Sequence, residues 1–198
     1  MSMTEISDLL SNQTKGFSLQ QKFYKDPEIY QQEMDRIFMK SWLYAGHVSQ
    51  IKNVGEYFLY EMDTESVIII REDKDTVNAL LNVCRHRGSR VCLQASGTQK
   101  LLVCPYHGWT YERSGALRGA NHTNPGFDKS DYALKTVSLK IFHGMIFINF
   151  DKDPISFDPI EKDLDKCLTP YRLDKVKIAH KKSYPMKSNW KLAVENYC

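Results

Sequence analysis

The 198-residue chain carries 27 lysines and arginines against 24 acids, a formal charge of +3, with 42% hydrophobic and 26% charged residues. That composition suits a soluble folded protein with a sizeable core, and the small, interspersed charge excludes a nucleic-acid surface. No apolar run reaches membrane-spanning length and the N-terminus lacks a basic start and apolar core, so no membrane span or signal peptide is expected and the reading is cytoplasmic.

Residues 1–22 are polar and weakly periodic and read as a loosely ordered arm. A helix is expected from Pro27 to about Lys40: Asp26 can cap it, Pro27 stands where a missing N–H costs nothing, and Tyr30, Met34, Ile37 and Phe38 recur at helical spacing. From Trp42 to Phe150 come short β-branched and aromatic runs: Tyr57 to Tyr60, Val67 to Ile70, Val77 to Val83, Leu101 to Val103 and Met145 to Phe150. Breaks such as Asn53-Val54-Gly55, Asp73-Lys74-Asp75 and Ser114-Gly115 suit tight reversals, so the expected fold is mostly β, an antiparallel sandwich or small barrel. After Asp151-Lys152-Asp153-Pro154 the helical period returns. Asp158 and Glu161 have capping-box spacing around Pro159, and Ile160, Leu164, Cys167 and Leu168 fall on one face. The expected domains are an arm and helix at 1–40, a β domain at 41–152 and the start of a second domain at 153–198.

Five cysteines, an odd number without a secretion signal, point to metal ligation rather than a disulfide framework. Two segments stand out, Cys84-Arg85-His86-Arg87-Gly88 and Cys104-Pro105-Tyr106-His107-Gly108-Trp109. Each follows an expected strand, offers one thiol and one imidazole, and places a glycine close after its histidine, where the backbone can adopt turns other residues resist. Four such ligands can hold one zinc or a two-iron cluster, and the order of residue types decides between them. A Cys2His2 finger has both cysteines first; here the order is Cys, His, Cys, His, as C-x-H and C-x2-H separated by seventeen residues. If the cysteines take one iron and the histidines the other, both loops are needed for both metals, which is the Rieske [2Fe-2S] arrangement.

Filled as CRHRG and CPYHGWTY, this pattern resembles the cluster motif of Rieske mononuclear non-haem iron oxygenase α subunits, the ring-hydroxylating oxygenases. The likeness continues through Phe38 to His47 upstream and Ser188 to Tyr197 at the far end, which includes Asn189-Trp190-Lys191. The resemblance implies a Rieske-type antiparallel β-sandwich with two cluster-binding loops at 41–152, then the start of an α+β catalytic domain at 153–198. It implies Cys84, His86, Cys104 and His107 as the cofactor-binding and metal residues. Electrons derived from NAD(P)H would arrive through a flavin or iron-sulfur reductase or a ferredoxin. They would leave by the histidine side for a mononuclear Fe(II) that activates O2 to hydroxylate or demethylate a small organic substrate. A homotrimer is implied for the complete enzyme. The phrasing around Asn82 to Arg90 and Leu192 to Tyr197 looks closer to oxygenases of betaine- or choline-like quaternary amines than to aromatic-ring dioxygenases. Respiratory Rieske proteins carry two further cysteines where Ser89 and Tyr106 stand here, and a serine donor to sulfur where Trp109 stands. Fewer donors imply a potential near the low end, about −150 mV.

The mononuclear iron needs two histidines and a carboxylate, and His47, His122, His143 and His180 are scattered singly. No catalytic residue is therefore expected within this chain, which reads as part of a longer α subunit. The alternative is a stand-alone Rieske-type ferredoxin, which would have no reason to continue into Asn189-Trp190-Lys191. Cys92, Cys167 and Cys198 read as free thiols, Cys167 on an apolar helix face. Arg85, Arg87 and Arg90 can favour a reduced cluster, dock an acidic partner or be ordinary loop residues. Tyr106 and Trp109 can shield the cluster or merely pack under a loop. Lysines 175, 177, 181, 182, 187 and 191 read as a docking face for an acidic donor or as a solvated surface.

Overall fold

The structure, a computed structural model, describes residues 3–121, 123, 124 and 126–197; His122 and Cys198 lie outside the described residues. Contacts divide the chain into two compact units, one of residues 41–179 and one of residues 1–40 with 180–198.

In the larger unit ten strands are described in chain order: β1 (Leu43–His47), β2 (Glu56–Met62), β3 (Glu65–Arg71), β4 (Val77–Leu81), β5 (Ser96–Thr98), β6 (Leu102–Val103), β7 (Thr110–Tyr111), β8 (Leu117–Gly119), β9 (Ser138–Phe142) and β10 (Met145–Asn149). They form three antiparallel sheets ordered β1-β10-β9, β4-β3-β2-β5 and β6-β7-β8. The run Val67-Ile68-Ile69-Ile70 explains the arrangement. Ile68 and Ile70 join a core with Leu80, Leu102, Trp109 and Tyr111, whereas Val67 and Ile69 join a second core with Ile51, Ile146 and Ile148. Successive side chains on a strand point to opposite faces, so a strand apolar at every position belongs to a sheet covered on both sides. The four-stranded sheet is that middle layer, and the first core is the one that reaches the two cysteine–histidine loops.

Helix α4 (Asp158–Leu168) belongs to this unit, and its start corrects the expected cap. Phe157 is the N-cap residue and makes no side-chain cap, Asp158 is already helical, and its N–H is taken by Ser156 Oγ at 3.1 Å. Cys167 is exposed, and none of the α4 side chains is buried. Ile160 and Leu168 are half-buried, and α4 also makes ion pairs, Glu161 to Lys140 at 2.9 Å and Asp165 to His143 at 2.8 Å.

The smaller unit contains helices α1 (Met3–Ser11), α2 (Lys22–Lys25), α3 (Pro27–Arg36) and α5 (Trp190–Glu195). Helix α1 occupies the first part of the segment expected as a loosely ordered arm: Ile6 and Leu9, one turn apart, are half-buried, and Gln20 Nε2 donates to the Leu9 carbonyl. Helix α3 begins as expected, with Asp26 Oδ1 accepting from Glu28 N–H and Ile29 N–H ahead of Pro27, but it ends at Arg36 and a 3-10 turn follows at Phe38–Lys40. Lys191 is buried against Glu33, Nζ to Oε2 2.7 Å, and Trp190 Nε1 donates to the same carboxylate at 2.9 Å. It is thus no part of a lysine face. No helix among the described residues is long and apolar enough to cross a membrane.

Candidate metal centre

The two ligand-bearing loops share one backbone design. In the first, Cys84 N–H donates to the Ser89 carbonyl at 2.8 Å and Gly88 N–H to the Cys84 carbonyl at 2.9 Å; in the second, Cys104 N–H donates to Trp109 O at 2.8 Å and Gly108 N–H to Cys104 O at 3.0 Å. Each loop therefore closes from its cysteine onto the residue five places on. In each, the glycine four places on is left-handed, with φ of 74° at Gly88 and 71° at Gly108. An added Cβ at Gly88 would meet nothing within 4 Å. The glycines are required by the turn rather than by close backbone approach. The histidine stands two residues after the cysteine in one loop and three in the other, so C-x-H and C-x2-H are two placements on one turn.

This geometry gathers the four residues in pairs. Cys84 and Cys104 are buried free thiols whose sulfurs interact with one another. His86 and His107 are exposed, with ring centroids 4.7 Å apart. Among the described residues no three His, Cys, Asp or Glu side chains converge on a point that would hold one metal ion. Two buried thiols beside two surface imidazoles offer the donors that a two-metal group with sulfur at one end and nitrogen at the other would require, and on that test the residues fit such a group.

Burial pushes the Cys84 thiol up, and the neighbouring Cys104 sulfur adds to it, while the Tyr111 hydroxyl and the His86 backbone N–H act the other way. Tyr111 was not among the residues expected at the site. It is fully buried on β7, its hydroxyl lies 3.2 Å from Cys84 Sγ, and it accepts from Arg85 N–H at 3.0 Å. Toward a thiolate only the hydroxyl can donate. The usable signal was the pair of large aromatic residues Trp109 and Tyr111 directly after His107-Gly108, both of which join the core that contains Cys84 and Cys104.

Trp109 is buried, and its ring is stacked on His86 and edged by Phe127 and Tyr132, each at 5.6 Å. Tyr106 instead is 60% exposed and lies against His107, centroids 3.7 Å apart. The two aromatic residues thus back one imidazole each. A groove of about 480 Å³ opens beside His86, lined by Trp109, Asn124, Phe127 and Tyr132. Arg85 and Arg87 are exposed near the histidines, whereas Arg90 is tied to Glu61 by two contacts of 3.0 and 3.1 Å.

The remaining histidines and thiols fall elsewhere. His47 is buried with Nε2 3.0 Å from the Leu173 carbonyl, His143 meets Asp165, and His180 is exposed. Cys92 is buried, and burial pushes its thiol up to about 11. Lysines 175, 177, 181, 182 and 187 are exposed.

A family model described as the Rieske [2Fe-2S] domain matches residues 41–142. The glycine betaine monooxygenase oxygenase subunit of Chromohalobacter salexigens is 39% identical over 191 residues, 96% of this chain and 43% of that protein. Benzene 1,2-dioxygenase subunit alpha of Pseudomonas putida is 31% identical over 185 residues, 89% of this chain and 41% of that protein. Among solved structures, naphthalene 1,2-dioxygenase from Rhodococcus sp. bound to indole gives a TM-score of 0.85 at 28% identity, over 98% of this chain and 46% of that one. The quaternary ammonium Rieske monooxygenase CntA in complex with L-carnitine gives 0.81 at 28% identity, over 89% and 51%. The chain thus spans less than half the length of these curated relatives.

Proposed function

This chain belongs to the Rieske [2Fe-2S] domain family, and from that premise we propose that it is the electron-transfer part of an oxygenase α subunit. Cys84 and Cys104 would hold one iron of a bound cluster, and His86 and His107 would hold the other. What carries the assignment is the pairing of two buried thiols beneath two exposed imidazoles 4.7 Å apart. When bound, the cluster takes up and releases one electron at a time.

The chain's own residues set the conditions for that exchange. The Tyr111 hydroxyl, 3.2 Å from Cys84 Sγ, donates toward a coordinated sulfur and favours the more negative, reduced state. Trp109 fixes the plane of the His86 ring. Core residues Leu102, Leu80 and Ile70 keep water from the thiol side, while the exposed imidazole edges give electrons a short way in and out.

The relatives are named as oxygenase subunits, which supports this reading over a stand-alone carrier. On it, residues 153–198 begin the catalytic domain, and the mononuclear iron is held by residues other than those of this chain. A reductase or ferredoxin supplies the electrons, O2 is the co-substrate, and the complete enzyme is a trimer. The higher identity to the glycine betaine enzyme, 39% against 31% for the benzene enzyme, favours a quaternary amine as substrate. The test is O2 consumption by the complete subunit with its reductase and NAD(P)H. The reading expects turnover of glycine betaine or a related quaternary amine, and turnover of arenes alone overturns the substrate assignment.

A further inference from the structure

Outside their matching turns, the two ligand loops are anchored by different means. The second is the tip of the β6–β7 hairpin, where Leu102 pairs with Tyr111 and Val103 with Thr110, so a backbone ladder fixes both of its ends. The first leaves β4, whose ladder is to β3, and the chain next joins a strand at Ser96, against β2. No ladder joins residue 82 to residues 91 and 92.

One side chain does that work. Asn82 is fully buried; its Oδ1 accepts from Val91 N–H at 2.9 Å and Cys92 N–H at 2.8 Å, and its Nδ2 donates to the Cys92 carbonyl at 2.8 Å and to Ser66 Oγ at 3.1 Å. An amide has two donors and two acceptor sites, so its capacity is used in full. Ser66 Oγ donates on to Glu61 at 2.9 Å, and Glu61 holds the Arg90 guanidinium. Three consecutive residues at the exit of the loop, 90 to 92, are therefore tied to β2, β3 and the loop's own entrance.

We propose that Asn82 is a positioning residue for the first ligand loop: its amide stands in for the missing ladder and fixes where Cys84 and His86 stand relative to Cys104 and His107. The proposal rests on the reading of those four residues as cluster ligands. Aspartate at 82 would lose both donors and bury a charge, and alanine would leave two buried N–H groups and a carbonyl unpaired.

The test compares the wild-type chain with Asn82→Ala and Ser66→Ala, each loaded anaerobically with iron and sulfide. The core variant Ile146→Val, on the other side of the middle sheet, is the control for general destabilisation. The readouts are the rate of iron loss to a chelator, the reduction midpoint and the EPR line shape of the reduced sample, with circular dichroism reporting the fold. The expected result is iron loss faster by about tenfold or more in Asn82→Ala, the scale for losing an outer partner of a metal site, with a shifted midpoint and broadened signal. Ser66→Ala, which removes one of the four bonds, falls between it and wild type. Loss rates that merely track thermal stability, as in Ile146→Val, with unchanged midpoint and line shape, overturn the proposal. If Asn82→Ala does not fold, Ser66→Ala with a wild-type rate and spectrum overturns it. A wild-type chain that takes up no cluster overturns the ligand reading itself, an outcome distinct from loaded variants that behave as wild type.

Discussion

The indole of Trp109 and the imidazole of His86 lie face to face, ring centroids 4.7 Å apart and planes 7° apart. Trp109 Nε1 is buried with no protein hydrogen-bond partner among the described residues, and the contact this side chain makes with His86 is the stack. Trp109→Phe, which keeps a ring and removes an unpaired donor, is expected to hold iron as well as wild type. Trp109→Ala is expected to lose it several-fold faster. Equal loss from the two variants in a chelator assay would contradict this role.

Tyr111→Phe removes the hydroxyl 3.2 Å from Cys84 Sγ and leaves the ring in its core. Reduction adds negative charge that a donor to sulfur stabilises, so the midpoint is expected to fall while iron content is kept. Redox titration of the two proteins checks the sign, and an unchanged or higher midpoint in Tyr111→Phe would sink it.

Lys191 and Glu33 form an ion pair whose side chains are only 10% and 12% exposed. Removing one partner of a buried pair leaves a charge without compensation and typically costs roughly 3–5 kcal/mol. Lys191→Met is therefore expected to be strongly destabilising to the smaller unit, and the double variant with Glu33→Gln less so. Denaturant unfolding of both variants is the check; a double variant worse than the single one would contradict the pair's role.

Several carboxylates are held below their usual range. For Glu56 the largest cause is the Asn53 backbone N–H, for Asp73 the backbone N–H of Asp75, and for Asp165 the His143 ring. Each folded-state pKa lies under the unfolded one. The stability these groups contribute is thus fully present above the unfolded carboxylate value of about 4 and is lost as pH falls through the folded values. Thermal unfolding of the metal-free chain is expected at progressively lower temperature below about pH 4, with a shallower decline in Asp73→Asn. A midpoint that rises on acidification through that window would contradict the sign.

What could be read from the sequence was what local chemistry decides. The spacing of Cys84, His86, Cys104 and His107 needs only two turns of one kind, and Asp26-Pro27 carries its own capping chemistry. One strand that escaped notice has no pattern of its own. Ser96-Gly97-Thr98 is a strand because β2 pairs with it, Tyr57 opposite Gly97, and helix α1 has too few apolar residues to be seen without the helices that follow it. Tyr111 and Asn82 were missed for a related reason. Tyr111 meets Cys84 across 27 positions of sequence and Asn82 meets Cys92 across ten; neither contact exists until the sheets are formed. Capping at Asp158 failed because the helix begins one residue earlier: the Phe157 carbonyl already accepts from Glu161 N–H, the donor that a cap at Asp158 would use.

The most direct test is metal analysis with pulsed EPR of the anaerobically loaded and reduced chain, carrying 15N-labelled histidine. The account predicts two irons and two sulfides per chain and couplings from two imidazole nitrogens, lost stepwise in His86→Cys and His107→Cys. A colourless protein holding one zinc, or an iron-sulfur signal with no histidine nitrogen coupling, would contradict it.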